Sequence, residues 1–373
     1  MKRLLSILLI LSTALCAAFA AGSSGKAGPA PFGLVDYIEG SASVTRDGKA
    51  ALAPDLGSAL FPGDLLTTEA DGLVVIALDK STGMKGSITV RSNTALYLKL
   101  EVVKGNKRTT LDLLAGSVGS KVKKLAGHPS MRVTTESTVA GVRGTEFEVS
   151  TSVGDSVLVI CSEGAVSCSD GTDTVPVQSG KALEKRPDQK LAYLAVSESS
   201  IQQFREKWIA DQITAFNADP LRALADYEKR YADLSSRFQT AYEPFQKSEV
   251  LKKWMDEERR GVKPRILDPS VMSEKKEISS NLFALRKILF TYERVYYRML
   301  EVESLVADTP LEKEEIRPGY TAGEFIRRVR TERDGLARRV ALFRFAEKLY
   351  AQRSDADSGL FGDDGAFDSG FAD

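Results

Sequence analysis

Hydrophobic residues follow two different periods along this chain, and the change between them falls near residue 196. Before that point, short runs alternate between apolar and polar residues and are separated by glycine-containing turns. Alternation with a period of two predicts β-strands with one buried face. After residue 196, glycine becomes rare and apolar residues recur three and four positions apart, which predicts amphipathic helices. The sequence therefore predicts an all-β half followed by a helical half.

The clearest strand pattern lies in the segment VRGTEFEV near the middle of the chain. Thr145, Phe147 and Val149 fall on one face of the predicted strand, and Glu146 and Glu148 fall on the other. A strand of this kind buries its apolar face and leaves its acidic face outside the core.

An arginine between two glycines begins this strand. Arg143 lies between Gly141 and Gly144, and glycine permits backbone angles and close approaches that a Cβ would block. A guanidinium positioned in this way, with Thr145 beside it, could bind a carboxylate or phosphate of a ligand. Alternatively, Arg143 forms an internal ion pair or binds a carbonyl and so fixes the turn.

A small unit recurs three times in the β half. In each copy a strand meets a glycine (Gly40, Gly116 or Gly164), and a new strand begins with a valine two to four residues later. Glycine supplies the positive φ that tight turns need, so the unit predicts three tight hairpins. A further turn at Pro62-Gly63-Asp64 precedes an apolar strand over residues 72–78.

The order of these turns around VRGTEFEV resembles the FecR-type domain, an all-β extracytoplasmic module of bacterial envelope proteins. The set comprises Gly33, Gly40, Pro62-Gly63-Asp64, Gly116, Gly141 to Val149, Gly164 and Gly180. The resemblance implies a FecR-like domain over residues 32–195. FecR proteins that regulate iron uptake consist of three successive parts: a cytoplasmic anti-sigma segment, one membrane span and this domain in the periplasm. Lys2 and Arg3 with the apolar run that follows them predict a signal peptide in place of the first two parts here, so we do not expect direct contact with a sigma factor.

The N-terminal segment has the pattern of a secretory signal. Lys2 and Arg3 precede an apolar run, and Ala18-Phe19-Ala20 has the small-x-small form of a cleavage site. We expect residues 1–20 to be a signal peptide and the Gly/Ser/Pro-rich residues 21–31 to be a linker. The protein would then be exported to the periplasm or the cell surface.

Two alternatives compete at this end of the chain. A lipid anchor at Cys16 is disfavoured, because the bulky Leu15 stands where lipoproteins have a small residue. A retained membrane span is disfavoured because the apolar stretch barely reaches the roughly 20 residues that a bilayer requires. We expect no membrane span after signal cleavage.

Two cysteines flank one of the glycine turns. Cys161 and Cys168 lie in the segment CSEGAVSC, and an oxidising compartment permits a disulfide between them. The bond requires Cα atoms within about 7 Å. The alternative is a pair of small buried thiols on adjacent strands.

Helix signals organise residues 196–353. Asp219-Pro220 predicts an N-cap followed by proline at the first helical position, and Pro244 should break or restart that helix. Capping-box patterns occur at Thr309-Pro-Leu-Glu312 and at Thr321-Ala-Gly-Glu324. One-sided apolar stripes must bury their faces against each other, which predicts an antiparallel bundle of about four helices.

The last predicted helix is rich in arginine, and an acidic tail follows it. The arginines form either a solvated face paired with acidic neighbours or a docking surface for something acidic, such as the tail itself. Residues 354–373 have too little apolar mass to fold alone, so we expect them to be disordered. The spaced Phe361, Phe367 and Phe371 are typical of a linear motif that binds a partner groove, whereas a plain solubilising tail is the alternative.

Charge and histidine content exclude several kinds of function. The chain has 51 basic and 51 acidic residues, so no net charge favours nucleic acid. The single histidine, His128, lies in a predicted loop, and the sequence has no P-loop, dinucleotide fingerprint, nucleophile elbow or metal motif. We therefore predict no enzyme, no cofactor and no metal. Paired carboxylates remain available for glycan cleavage, as in an atypical cell-wall enzyme.

The preferred hypothesis is an exported, non-catalytic binding or scaffold protein of the bacterial envelope. Its FecR-like domain would bind an envelope component, and its helical half and tail would recruit a protein. The expected partner is another envelope protein, with cell-wall glycan as a second candidate. The alternatives are an accessory component of envelope signal transduction and the cell-wall enzyme.

Overall fold

The structure, a computed structural model, describes residues 30–47, 49, 51–103, 105–124, 130–142, 144–196, 200–266 and 268–354. Every strand and helix below belongs to one compact unit that begins at Pro31. Several features predicted from the sequence lie outside the described residues: the signal peptide, Cys16, His128, Arg143, and the tail with Phe361, Phe367 and Phe371.

The β half forms two sheets. The strands in chain order are β1 (Gly33–Glu39), β2 (Ala42–Thr45), β3 (Ala59–Leu60), β4 (Leu65–Thr68), β5 (Leu73–Leu78), β6 (Met84–Val90), β7 (Ala95–Val103), β8 (Asn106–Ala115), β9 (Ser117–Lys124), β10 (Ser130–Thr134), β11 (Val139–Val142), β12 (Glu146–Thr151), β13 (Val157–Glu163), β14 (Ala165–Ser169), β15 (Thr174–Gln178), β16 (Lys181–Lys185) and β17 (Ala192–Leu194). Sheet A has the order β17-β16-β13-β12-β9-β6-β5-β1-β3, and sheet B has the order β15-β14-β11-β10-β8-β7-β4-β2. Strands β8 and β10 pair in parallel, whereas neighbours such as β7 and β8 are antiparallel.

The three glycine units join strands of different sheets, so the predicted tight hairpins are wrong. Gly40 follows β1 of sheet A and precedes β2 of sheet B, and Gly116 and Gly164 likewise lie where the chain changes sheet. The positive φ was predicted correctly, since φ is 91° at Gly116. A Cβ there would lie 2.3 Å from Oγ1 of Thr94, so the turn accepts only glycine without rearrangement.

The main core of the β half lies between the two sheets. Phe147 and Val149 of β12 are buried in it, while Glu146 and Glu148 are only half-buried. This confirms the faces predicted for the central strand. Because the glycine turns connect the two sheets, successive strands contribute side chains to this core from both sides.

The helical half contains α1 (Ile201–Ala218), α2 (Pro220–Gln246), α3 (Glu249–Arg259), α4 (Pro269–Val306) and α5 (Ala322–Ala351), with a short hairpin of β18 (Glu315–Arg317) and β19 (Tyr320–Thr321) before α5. Helix α2 continues through Pro244 for two residues, because proline removes only its own N–H donor and the buried Phe245 still anchors the last turn. Residues from α2, α3, α4 and α5 share one hydrophobic core. The all-β half followed by a helical half is confirmed, whereas the four-helix antiparallel arrangement and the domain boundaries stay predictions.

One of the two predicted capping boxes is present. Thr321 Oγ1 accepts from the N–H of Glu324, and the Glu324 carboxylate accepts from the N–H of Thr321. The prediction at Thr309 is wrong: its Oγ1 donates to the carbonyl of Val306 instead, and a short 3-10 turn follows without a side-chain cap. The hydroxyl donates to the end of the preceding helix and accepts no hydrogen bond from the turn that follows. Among the described residues, no helix is both long enough and apolar enough to cross a membrane.

Candidate functional site: the ionic contacts between sheets and helices

Helices pack on the outer faces of both sheets, and charged side chains are buried at these contacts. Phe204 and Trp208 of α1 pack on Leu158 and Ile160 of sheet A. Tyr297 of α4 packs against residues of β4, β7 and β8 in sheet B. Three groups of ion pairs lie at these contacts, and we name each after its acidic residue: the Glu148, Asp112 and Asp155 clusters.

The Glu148 cluster joins the central strand to α1. Arg205 Nη1 of α1 donates to both carboxylate oxygens of Glu148, at 2.8 Å and 3.2 Å, and Arg91 also pairs with Glu148. Arg205 is buried, so this contact is shielded from solvent screening. In a neighbouring contact, α1 again supplies the donor and sheet A the acceptor: Trp208 Nε1 donates to Glu184 Oε1 at 2.7 Å. The acidic face predicted for β12 is therefore a binding face for α1.

The Asp112 cluster joins sheet B to α4. The carboxylate of Asp112 in β8 accepts from Lys99 Nζ at 2.9 Å, from Thr134 Oγ1 at 3.0 Å, and from Arg294 of α4. Burial opposes ionisation of Asp112, but Arg294 and Lys99 outweigh it and hold the pKa of Asp112 well below its usual value. The carboxylate therefore stays ionised, with its charge balanced by cations from both halves.

A second buried acid of α4 extends this cluster to α5. Glu293 accepts from the Tyr97 hydroxyl at 3.0 Å and pairs with Arg344 of α5. The guanidinium of Arg344 also lies over the Tyr97 ring, 4.5 Å from its centre. Burial and the Glu293 carboxylate raise the pKa of Tyr97 well above its usual value, so the phenol stays protonated and donates. One strand side chain thus contacts two helices.

The Asp155 cluster holds the turn that follows β12. Asp155, with φ of 59°, accepts from Arg230 Nη1 of α2 at 2.9 Å and pairs with Arg298 of α4. Glu136, from the turn between β10 and β11, also pairs with Arg230 and lies 3.8 Å from Arg298 Nη1. Beside it, Tyr227 of α2 donates to the carbonyl of Val153. Two helices therefore fix one end of the central strand.

A further carboxyl group borders the Asp155 cluster. Burial raises the pKa of Glu301 on α4 to about 7, although Arg298 opposes this shift. The buried guanidinium of Arg298 is affected in turn, because burial lowers its pKa while Glu136 and Glu301 raise it less. This is the part of the contact whose charge can change near neutral pH.

A cleft beside the Asp112 cluster is too small for an organic ligand. It lies among Asp47, Tyr97, Tyr297, Ala341 and Arg344 and has a volume of about 30 Å³. That volume holds roughly one water molecule. In the described part of the chain, no three His, Cys, Asp or Glu side chains are placed to bind a metal. The geometry is thus that of an internal contact.

The predicted ligand-binding pair is only partly visible. Arg143 lies outside the described residues, and Thr145 is 6% exposed, with a buried hydroxyl that has no hydrogen-bond partner in the described structure. The backbone carbonyl of Thr145 accepts from the N–H of Val122 at 3.0 Å. Sequence reasoning missed the three clusters. Their signal was charge at otherwise apolar positions, as in Asp112 of LDLL and Arg298 of VYYRML.

The arginines of α5 mostly have acidic partners. Arg330 Nη2 lies 2.5 Å and Arg333 Nη2 lies 3.2 Å from Glu303 of α4, and Arg328 Nε lies 3.1 Å from Glu332. These contacts support the interpretation of a solvated face paired with acidic neighbours. A docking surface on this helix stays a prediction.

The two cysteines lie on opposite sheets of one core. Cys161 belongs to β13 of sheet A and Cys168 to β14 of sheet B, and both are buried as free thiols. Burial raises the pKa of Cys168 to about 12 and also raises that of Cys161. Formation of the disulfide stays a prediction.

Comparison with known protein families finds a match over the middle of the β half. The family model described as FecR protein matches residues 64–167. The match includes the turns at Gly116 and Gly164 and all of β12. The chain therefore carries a FecR-type domain, and the resemblance read from the sequence is confirmed.

Two solved structures share limited similarity with the chain. Both are crystal structures of a protein from Parabacteroides distasonis that is provisionally described as an anti-sigma factor. The first alignment has 11% identity and a TM-score of 0.30 and covers 35% of this chain and 59% of the other. The second has 14% identity and a TM-score of 0.23 and covers 35% and 54%. The chain thus spans less than two thirds of either protein. No curated protein has a significant match.

Proposed function

We propose that this chain is an exported, non-catalytic binding protein of the bacterial envelope that acts in signal transduction. Its FecR domain binds a partner, and its helical half responds to that binding. The observation that carries the proposal is the attachment of β12 and its following turn to three helices, through Glu148 to α1 and through Asp155 to α2 and α4. The FecR match supports the envelope context.

Buried ion pairs suit a protein that transmits a change of state. Arg205 and Arg298 are buried, and their acids Glu148 and Asp155 are partly buried. Removing one partner of a fully buried pair costs about 3–5 kcal/mol, and a smaller cost at these pairs still favours movement of the two halves together. The pairs also have discrete geometries, which allow a contact to switch between arrangements instead of deforming gradually. A partner that moves β12 would therefore shift α1, α2 and α4.

The partner contact itself is proposed at the start of β12. Arg143 is the proposed ligand contact because glycines flank it, and the buried Thr145 next to it is better suited to supporting the turn. We propose another envelope protein as the partner. The tail phenylalanines Phe361, Phe367 and Phe371 are a second proposed contact, and cell-wall glycan is the alternative ligand.

The proposal is tested by partner capture combined with hydrogen exchange. A tagged full-length protein is crosslinked in cells, and the wild type is compared with Arg143→Ala and with Lys190→Ala, a control at an exposed basic residue on the same half. We expect one dominant envelope protein with the wild type and the control, and its loss with Arg143→Ala at unchanged circular dichroism. Adding the purified partner should then slow or speed amide exchange in α1, α2 and α4.

The other outcomes are informative. Recovery of cell-wall fragments without a protein would support glycan binding, and turnover of such fragments would support the cell-wall enzyme. Partner binding that leaves helical exchange unchanged would contradict signal transmission and leave a scaffold protein.

A further inference from the structure

One face of α4 points to solvent although it carries large apolar side chains. Met272 is 56% exposed and Phe283 is 62% exposed. Lys276, Ser280 and Lys287 complete this face, with the 4,4,3,4 spacing of a single helix face, and we name the five residues the α4 stripe. The opposite face contributes Leu282, Leu285 and Leu289 to the core.

The lysines of the α4 stripe are unused within the described structure. Lys276 and Lys287 form no ion pair with any described residue, unlike Lys253 of the neighbouring α3, which lies 2.5 Å from Glu274. The α4 stripe therefore combines exposed apolar area with two uncompensated positive charges. Such a surface fits an acidic segment that also carries aromatic side chains.

The chain leaves the described structure beside this stripe. Arg353 is 1% exposed: its Nη2 donates to Glu257 Oε2 of α3 at 2.7 Å, and its guanidinium lies 4.6 Å from the centre of the Trp254 ring. Lys275 of α4 then donates to Ser354 Oγ at 2.7 Å. Ser354 is thus fixed against the residue that precedes Lys276 of the α4 stripe.

The following segment has matching composition and sufficient length. Residues 355–373 contain no Lys or Arg and carry the aspartates and large apolar residues Asp355, Asp357, Asp363, Asp364, Asp368, Asp373, Leu360, Phe361, Phe367 and Phe371. Extended chain spans about 3.3 Å per residue, so Phe361 can reach about 23 Å from Ser354. The α4 stripe is also roughly 22 Å long at 1.5 Å per helical residue. Phe361 can therefore reach any part of it.

We propose that residues 355–373 dock on the α4 stripe of their own chain. Tail phenylalanines pack against Phe283 and Met272, and tail aspartates lie beside Lys276 and Lys287. The inference rests on the proposed function in one respect: a partner that binds the tail phenylalanines must first displace them from α4. The tail is then a covered binding motif, released only when a partner competes for it.

The first test is photocrosslinking of the purified full chain. A photoreactive phenylalanine replaces Phe283, and the same group replaces Tyr193 on β17 as the control, since that side chain is also 55% exposed. We expect position 283 to crosslink to residues 355–373 within one chain, independently of protein concentration, and position 193 not to. Crosslinks between isotopically labelled and unlabelled chains would instead show a second copy on the α4 stripe. No crosslink to the tail would overturn the proposal.

The second test uses tail proteolysis with charge variants. Lys276→Glu combined with Lys287→Glu should release the tail and speed its cleavage roughly tenfold, as loss of a modest contact requires. Lys207→Glu, an exposed lysine of α1, is the matched control and should leave the rate unchanged. Equal rates in all three proteins would overturn the proposal. The two proposals fail separately, because partner capture can fail while the tail docks, and crosslinking can fail while a partner is captured.

Discussion

Arg294 of α4 donates a hydrogen bond to Asp112 of β8, and the two side chains are only 2% and 7% exposed. This pair connects residues far apart in the sequence and crosses between the two halves. Asp112 also accepts from two donors on sheet B, Lys99 and Thr134, so it has partners within the β half alone. Arg294 has its second bond to the carbonyl of Phe290 on its own helix. Each side chain thus has other hydrogen-bond partners within its own half, and the bond between them is what links sheet B to α4.

Replacing Arg294 with Met should strongly destabilise the protein. The change leaves the buried Asp112 with Lys99 as a cation but without Arg294, so we expect a loss near the lower end of the about 3–5 kcal/mol that an uncompensated buried charge costs. Urea unfolding followed by circular dichroism measures the free energy of unfolding. Arg330→Met is the control, because its ion pair with Glu303 is exposed and should contribute less than about 1 kcal/mol. Equal losses for the two variants would show that Arg294 is not a buried attachment.

A double variant separates the charge from the packing. Asp112→Leu added to Arg294→Met removes both charges, and apolar replacement of a buried pair is often neutral or stabilising. We expect the double variant to recover most of the lost stability. Recovery would assign the loss in the single variant to an unpaired charge rather than to a cavity.

Local features of this fold could be predicted from the sequence. The faces of β12 follow from alternation around Phe147, and the cap at Thr321 follows from a pattern four residues long. The same glycine signal did not distinguish a hairpin from a crossing between sheets at Gly116, because both need positive φ. Which strand pairs with which is decided by the core on either side of the turn.

The ionic contacts could not be predicted because their partners are distant in the sequence. Arg298 of α4 pairs with Asp155, whereas Arg237 of α2 pairs with Asp233 one turn away. Both arginines lie in long amphipathic helices, and composition does not separate them. The immediate neighbours do not separate them either, because Arg298 has the buried Val295 and Met299 and Arg237 has the buried Leu234 and Phe238 at the same two offsets.

Glu301 should make the protein less stable as the pH rises from about 4.5 to about 7. Burial raises the pKa of Glu301 from 4.5 to about 7 in the folded state. Between these values the folded protein holds a proton that the unfolded chain has lost, so raising the pH favours unfolding. Glu301→Gln should remove on the order of 2 kcal/mol of the fall in unfolding free energy between pH 5 and pH 7.

The control for this experiment is Glu277→Gln, at an exposed position of the same helix. The groups that interact with Glu301 are Arg298 and Tyr227, and neither of them is changed. An unchanged slope in Glu301→Gln would show that another group causes the pH dependence.

Helix α1 should detach locally when Arg205 is replaced. Arg205→Met removes the donor to Glu148 and leaves that carboxylate with Arg91, at a cost of about 2 kcal/mol for charged hydrogen bonds. Hydrogen exchange in α1 should rise, while exchange in β12 changes little. Lys207→Met on the same helix loses an exposed pair with Asp211 and serves as the control. Equal exchange in both variants would contradict the role of Glu148 as an anchor.

Thiol reactivity decides between a bridge and two free thiols at Cys161 and Cys168. Because both are buried and the pKa of Cys168 is raised to about 12, neither should react with a thiol reagent in the folded state at pH 8. After unfolding without reductant, two reactive thiols would indicate the free form, and none would indicate a disulfide. Cys161→Ser reports the reactivity of Cys168 alone. A bridge across so short a loop should stabilise the protein by about 2–3 kcal/mol. With a bridge, reduction should lower the melting temperature of the wild type and leave that of Cys161→Ser unchanged; with two free thiols, reduction should leave both unchanged.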